Sequence, residues 1–182
     1  MNMSDNQEKK LFLLDAYALI FRSYYAFIKN PRITSKGLNT SAIFGFLLTL
    51  EEVLQKQKPS HIAVVFDSPG PTFRHEIFRE YKANRDETPE DIRKAVPYIK
   101  RLIEAYNIPV IDYPGFEADD IIGTLAKKAA GKGFITYMMT PDKDFAQLVS
   151  DKIFIYKPSR GGNDAVKWGV EEIRKEFSVQ RP

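Results

Sequence analysis

An α/β domain with a mostly parallel central sheet flanked by helices is predicted for this chain, on three observations. Short apolar runs alternate with helix-length segments along the whole sequence, which is the pattern of repeated β-α-β units. The segments between successive runs are long enough for crossovers between parallel strands. Four of the apolar runs give out into acidic residues, as expected where strands end at one shared edge of such a sheet.

The elements follow in order. Met1 to Lys10 is polar, and residues 1–9 read as a loose tail. Leu11-Phe12-Leu13-Leu14 is the first strand, ending at Asp15. Ala16 to Ile28 reads as a helix rich in aromatics, and Asn30 to Asn39 as a polar, basic loop. Thr40 or Ser41 can cap a second helix running to about Gln57, with Ile43, Phe44, Leu47, Leu48, Leu50 and Leu54 on its apolar face. Lys58-Pro59-Ser60 breaks it before the strand Ile62 to Phe66, which ends at Asp67. Ser68-Pro69-Gly70-Pro71 is a turn cluster. Thr72 to Asp86 mixes bases and aromatics without a clean period. Thr88-Pro89-Glu90-Asp91 opens a helix to about Tyr106, with Thr88 as cap and acids at the positive end of the dipole. The strand Ile108 to Ile111 leads through Pro114-Gly115 to Glu117, Asp119 and Asp120, and a helix covers Phe116 to Ala130. The strand Phe134 to Met139 leads to Asp142 and Asp144, followed by a short helix. Ile153 to Tyr156 is a further strand. Arg160 to Asn163 reads as a hairpin turn reaching Val166 to Trp168, and Val170 to Phe177 as a last helix.

Seven acids, Asp15, Asp67, Glu117, Asp119, Asp120, Asp142 and Asp144, are thereby expected at one crevice. Each alone has an ordinary structural reading as a cap or turn residue. Capping, however, needs one acid per helix and not clusters of three and two. Two bare carboxylates about 4 Å apart repel by roughly 4 kcal/mol at an effective dielectric near 20. Seven together call for cations, and a hard divalent ion with oxygen ligands such as Mg²⁺ is the simplest. Such a site suits phosphoryl transfer by two metals, which needs no side-chain nucleophile.

Composition narrows the chemistry. The chain has 182 residues, room for one domain. It has no cysteine and only two histidines, His61 and His75. Disulfides, thiolate zinc sites and histidine-rich metal sites are excluded, and the absence of cysteine fits a reducing cytoplasm. The net charge is +3; with seven acids assigned to a metal cluster, the remaining surface is basic and suits a polyanionic partner. No apolar run approaches the roughly 18 residues that span a bilayer. Phe73-Arg74-His75 and Arg79 to Arg85 interleave cations with rings. Such a segment can hold phosphates and stack on unpaired bases, or it can be a solvated face with its own ion pairs. It begins next to Asp67, at the mouth of the crevice. His75 and Trp168 read as packing residues.

The order and spacing of five motifs resemble a known family. They are Leu14-Asp15-Ala16-Tyr17 with Phe21-Arg22-Ser23-Tyr24, Val64-Val65-Phe66-Asp67, Phe73-Arg74-His75-Glu76 with Tyr81-Lys82-Ala83-Asn84-Arg85, Gly115 to Asp120, and Thr140 to Asp144. From about Lys10 onward the chain resembles the 5′-nuclease domain of bacterial DNA polymerase I, of the flap endonuclease superfamily, with a PIN-like fold and a helical arch or clamp insertion. The resemblance implies a metal-dependent phosphodiesterase that removes DNA 5′ ends and flaps in primer removal and repair. It implies Mg²⁺ on the seven acids, two ions in the family's complete site, with Mn²⁺ substituting. It gives Lys82 and Arg85 contacts to the scissile phosphate, and DNA contacts to Arg22, Arg74, Arg79 and Tyr81. About 72–101 would be the arch over the 5′ strand. A monomer in the bacterial cytoplasm, associated with the nucleoid and joined to polymerase domains in a parent chain, is expected.

The chain also departs from that pattern. It stops at Gln180-Arg181-Pro182, before the family's Gly-Asp…Asp-Asn motif, which carries two more metal aspartates, and before its helix–three-turn–helix duplex anchor. The expectation is an excised N-terminal piece, or a naturally short homologue, that is weakly active or inactive. Two other classes compete. A PIN-type ribonuclease shares the acidic core but lacks so long a segment between Asp67 and Glu117. A non-enzymatic protein, either a receiver-like domain or a fragment that only binds DNA, accounts for fewer of the acids.

Overall fold

The computed structural model describes residues 8–84, 86–159 and 164–177. Its centre is a six-stranded sheet in the order β3-β2-β1-β4-β5-β6. The strands are β1 (Lys10–Asp15), β2 (His61–Val65), β3 (Val110–Ile111), β4 (Ile135–Met139), β5 (Ile153–Lys157) and β6 (Val166–Trp168). The first five are parallel, and β6 pairs antiparallel with β5. The turn expected at Arg160 to Asn163 lies outside the described residues, as do residues 1–7 of the expected tail.

Strand alternation sorts the side chains into two cores. Phe12 and Leu14 of β1, Val64 of β2 and Tyr137 and Met139 of β4 face one layer, built by helices α1 (Ala16–Ala26), α2 (Ser41–Glu52) and α4 (Glu90–Ala105). Leu13, Ala63, Val65, Met138 and Ile155 face the other, covered by α5 (Ala118–Gly131) and the 3₁₀ segment Lys143–Leu148. Close packing of α1 on α2 depends on Gly45: a β-carbon there would lie 2.8 Å from the Cβ of buried Ser23. The last helix, α6 (Val170–Phe177), closes the described chain beside β6.

Several boundaries differ from those expected, each for a local reason. The second helix ends at Glu52 and passes through one π-helical stretch, Val53–Gln57, before Lys58 turns at a positive φ of 46°. Thr88 does not cap α4; Pro89 does, with an extended backbone that lets Glu90 start the helix. The fifth helix starts at Ala118 instead of Phe116, because Glu117 is its N-cap in a reciprocal capping box with Asp120. The aperiodic stretch after Thr72 holds a short helix, α3 (Phe73–Ile77), followed by turns. Ile92, Ala95, Ile99 and Ile103 of α4 are fully buried. The α4 part of the expected arch thus packs into the core, and the described residues before it, 72–84 and 86–89, form a strap that reaches Glu117 and Asp120 through Arg74, Tyr81 and Lys82.

Candidate active site

Chain order sets the site. The path from β1 moves outward to β2 and β3, then returns past β1 to β4. The direction of winding reverses at β1, and in open α/β sheets ligands bind beyond the carboxyl ends of strands at such a switch point. Asp15 ends β1, Asp67 lies two residues past β2, and Thr140 and Asp142 follow β4. Asp15, Asp67 and Asp142 open onto a crevice of about 680 Å³ that is also lined by Glu117, Asp119 and Asp144. Six of the seven sequence-predicted acids thus share it. Asp120 turns into an adjoining pocket with Arg74.

Six of the seven carboxylates also accept local hydrogen bonds. Asp15 accepts from the Ala18 backbone N–H at 3.1 Å, as the N-cap of α1, and from the buried Thr140 hydroxyl at 3.2 Å. Asp67 accepts from Ala118 N–H at 2.7 Å, tying β2 to the start of α5. Asp142 accepts from Asp144 N–H at 2.9 Å. Glu117, 6% exposed, accepts from Lys82 Nζ at 2.6 Å and from the Tyr81 hydroxyl at 3.0 Å. Asp120 receives both arms of Arg74 at 2.7 and 2.8 Å, a bidentate fork. Arg74 also lies 3.5 Å from Glu117 and 4.0 Å from Asp119.

The strap thus places two internal cations against the acids of α5. Charge balance on that side is met by Arg74 and Lys82, where the sequence alone suggested that only bound cations could supply it. Among the described residues no three Asp, Glu or His side chains stand as a group that could hold a metal ion.

Among the described residues, Asp15, Asp67 and Asp142 have no such ion pair. Burial lifts the Asp15 carboxyl from 3.8 to about 6, and the negative charges of Asp67 and Asp142 push the same way, against the Ala18 and Thr140 hydrogen bonds. Burial, with Asp67 nearby, also raises the Tyr17 phenol. Burial and neighbouring Asp120 raise Asp119, while the Arg74 hydrogen bonds hold Asp120 below its ordinary value. Converging carboxylates, with a hydroxyl beside Asp15 and no sulfur or imidazole among them, are a donor set suited to a hard divalent cation.

The remaining predicted residues are placed as follows. Arg22 is half-buried and donates to the carbonyls of Pro158 and Ser159, joining α1 to the end of β5. Arg79 is exposed on the strap. Tyr81 and Lys82 line the crevice. Arg85 lies outside the described residues. His75 serves packing: its Nδ1 accepts from Thr72 N–H at 3.0 Å and its ring meets Tyr81 edge-on. Trp168 is half-buried against the second core. Sequence reading missed Tyr17 and Lys100 in the crevice, and Thr140 as the buried hydrogen-bond donor to Asp15. The signal for Thr140 was present, since a small hydroxyl residue ends an apolar strand immediately before Pro141-Asp142.

The sequence pattern of the 5′-3′ exonuclease, N-terminal resolvase-like domain family matches residues 10–178. The chain belongs to that family. Among relatives of this exonuclease-family chain, a 5′-3′ exonuclease of Aquifex aeolicus is 39% identical over 172 residues, covering 94% of this chain and 57% of its own length. A DNA polymerase I of Bacillus subtilis is 37% identical over 174 residues, 95% of this chain but 19% of the polymerase. The chain therefore spans little more than half of the first relative and about a fifth of the second. The 5′-3′ exonuclease-family fold recurs in a crystal structure of the bacteriophage T5 D15 flap endonuclease with DNA and metal ions, with a TM-score of 0.68, 20% identity, and coverage of 93% of this chain and 61% of that one. It recurs also in the catalytic core of Rad2 bound to DNA, with a TM-score of 0.54, 22% identity, and coverage of 96% and 52%.

Proposed function

We propose that this protein is a structure-specific 5′-nuclease that hydrolyses DNA phosphodiesters at 5′ ends and flaps. The observation that carries the reading is the convergence of strand-end carboxylates in one crevice: Asp15 is raised first by burial and then by Asp67 and Asp142, which are 52 and 127 residues away along the chain. Such an arrangement is costly for the fold and suits cation binding. Family membership and the polymerase and exonuclease relatives support the same class.

In this reading Asp15, Asp67, Glu117, Asp119, Asp120, Asp142 and Asp144 are the carboxylates for Mg²⁺, two ions in the family's complete site, with Mn²⁺ as a substitute. Bound there, divalent ions supply a water of lowered pKa and offset charge at the leaving oxygen. The chain's own part is positioning. Thr140 holds Asp15 in place, and the Ala118 N–H holds Asp67. Lys82 and Arg74 exchange their carboxylate partners for phosphate oxygens when the strand enters, and Tyr81 follows as the strap adjusts. Arg79 and Arg85 add strap contacts to the backbone, and Arg22 steadies the crevice wall. Residues 10–182 form the nuclease domain after a tail of 1–9, and act as a monomer on DNA in the bacterial cytoplasm, alongside polymerase domains where the parent chain carries them.

The test is cleavage of a labelled 5′-flap duplex in Mn²⁺ by the protein and by Asp67→Ala and Asp142→Ala. Even outer partners of metal ligands cost about 10- to 100-fold when removed, so each variant is expected to lose more than about a hundredfold. Variants that cut at the unaltered rate contradict the assigned roles. Preference for an RNA strand in the same assay would replace the reading with that of a PIN-type ribonuclease.

A further inference from the structure

We propose that Lys100, on α4, is a second phosphate-holding residue of the crevice, binding the DNA backbone alongside Lys82. The inference rests on the nuclease reading above and extends it to a residue outside the strap.

Among the described residues two cations line the crevice, Lys82 and Lys100. They differ in what already engages them. Lys82 lies 2.6 Å from a nearly buried Glu117. Lys100 has only Asp112, at 3.6 Å, with both side chains more than a third exposed. An ion pair that long and that wet contributes little. The Lys100 ammonium lies 4.6 Å from the centre of the Phe66 ring. Phe66 is 1% exposed and directly precedes Asp67. A buried ring thus fixes the direction of the side chain without neutralising it.

The two lysines also differ in what carries them. Lys82 rides on the strap, at a positive φ of 60°. Lys100 follows fully buried Ile99 on a helix anchored by Ile92, Ala95 and Ile103. A cation on a rigid element, facing a crevice otherwise dominated by carboxylates, repels the metals that the crevice is proposed to bind unless an anion accompanies them. A phosphodiester is the anion this reaction supplies. Lys100 is accordingly a binding and positioning residue: it holds a strand phosphate and leaves the proton transfers to others.

The experiment measures equilibrium binding of a 5′-flap duplex across a KCl series, in Ca²⁺ in place of Mg²⁺, for the unaltered protein and for Lys100→Ala, Lys100→Arg and Asp112→Asn, together with steady-state cleavage in Mg²⁺. Loss of one phosphate contact lowers the salt slope by about 0.7–0.9 and the affinity near 0.1 M salt by about five- to tenfold. Lys100→Ala is expected to show both, with KM raised and kcat nearly unchanged, and Lys100→Arg to restore them. Asp112→Asn, which removes the competing carboxylate, is expected to keep the slope and bind as well or better. A role confined to packing or to the Asp112 pair would move thermal stability in both variants and leave the slope alone; that result, or unaltered affinity in Lys100→Ala, overturns the inference. Absence of binding and cleavage by the unaltered protein would instead overturn the nuclease reading, and this inference with it.

Discussion

Asp15→Asn is expected to make the metal-free protein more stable near about pH 7.5 and at the same time to abolish its cleavage of flap DNA. The two effects have one origin. The Asp15 carboxyl is raised from 3.8 to about 6, first by burial and then by Asp67 and Asp142. The folded state therefore binds more protons than the unfolded chain between about pH 4 and about pH 6, and stability falls as pH rises through that window. Above it the whole cost is present, about 3 kcal/mol for a carboxyl displaced that far. Asparagine keeps one oxygen to accept from Ala18 N–H, turns its amide N–H toward the Thr140 hydroxyl oxygen, which can accept, and carries no charge. A melting temperature higher by several degrees in EDTA follows, since about 1 kcal/mol corresponds to about 2–4 °C at this size. The stabilisation is expected to vanish near pH 4, where Asp15 is protonated anyway. Mn²⁺ is expected to stabilise the unaltered protein and to do much less for the variant. Equal or lower stability of Asp15→Asn in EDTA, tracked by circular dichroism across pH, would mean that the carboxylates do not oppose one another as described.

Lys82→Ala is expected to slow cleavage by about a hundredfold, in the range seen when one preorganised charged or hydrogen-bonding group is removed from a reacting centre. It also unties the strap. Glu117 would keep the Tyr81 hydroxyl and the more distant Arg74 but lose its shortest partner. Breaking a buried pair costs about 3–5 kcal/mol; Lys82 is 24% exposed against 7% for Glu117, so a loss of about 1–2 kcal/mol is the expectation after screening. Backbone geometry provides a way to separate the two effects. Lys82 occupies a left-handed conformation, φ 60°, which costs a side-chain-bearing residue about 1 kcal/mol or more relative to glycine. Lys82→Gly should recover part of the stability and none of the rate. Urea unfolding and single-turnover cleavage measure the two sides. A variant pair that regains rate together with stability would show that Lys82 acts only by holding the strap.

The parts of this site legible in the sequence were those set by local pattern. Apolar runs such as Leu11 to Leu14 and Ile62 to Phe66 announce buried strands, and the first polar residue after each marks the sheet edge; hence Asp15, Asp67 and Asp142 could be placed together before any coordinates. Partnerships across the fold were not legible. Arg74 with Asp120, and Lys82 with Glu117, join residues 46 and 35 positions apart, and no periodicity registers such pairs. That is why the strap's cations read as free for phosphate when they are already engaged by the acids. Lys100 was hidden for a different reason: on an amphipathic helix it looks like any solvated lysine, and only the position of Phe66 beneath it distinguishes it. The arch bounds of about 72–101 came from the family resemblance and not from residue pattern; burial of Ile92 and Ile99 packs the α4 part of that stretch against the core.

Crystals of the protein soaked in MnCl₂ and measured at the manganese edge test the central claim most directly. The account predicts anomalous density in the crevice bounded by Asp15, Asp67 and Asp142, with those carboxylates turned toward it. Ordered manganese bound elsewhere on the surface, with the crevice carboxylates still held only by Ala18, Ala118 and Thr140, would contradict it.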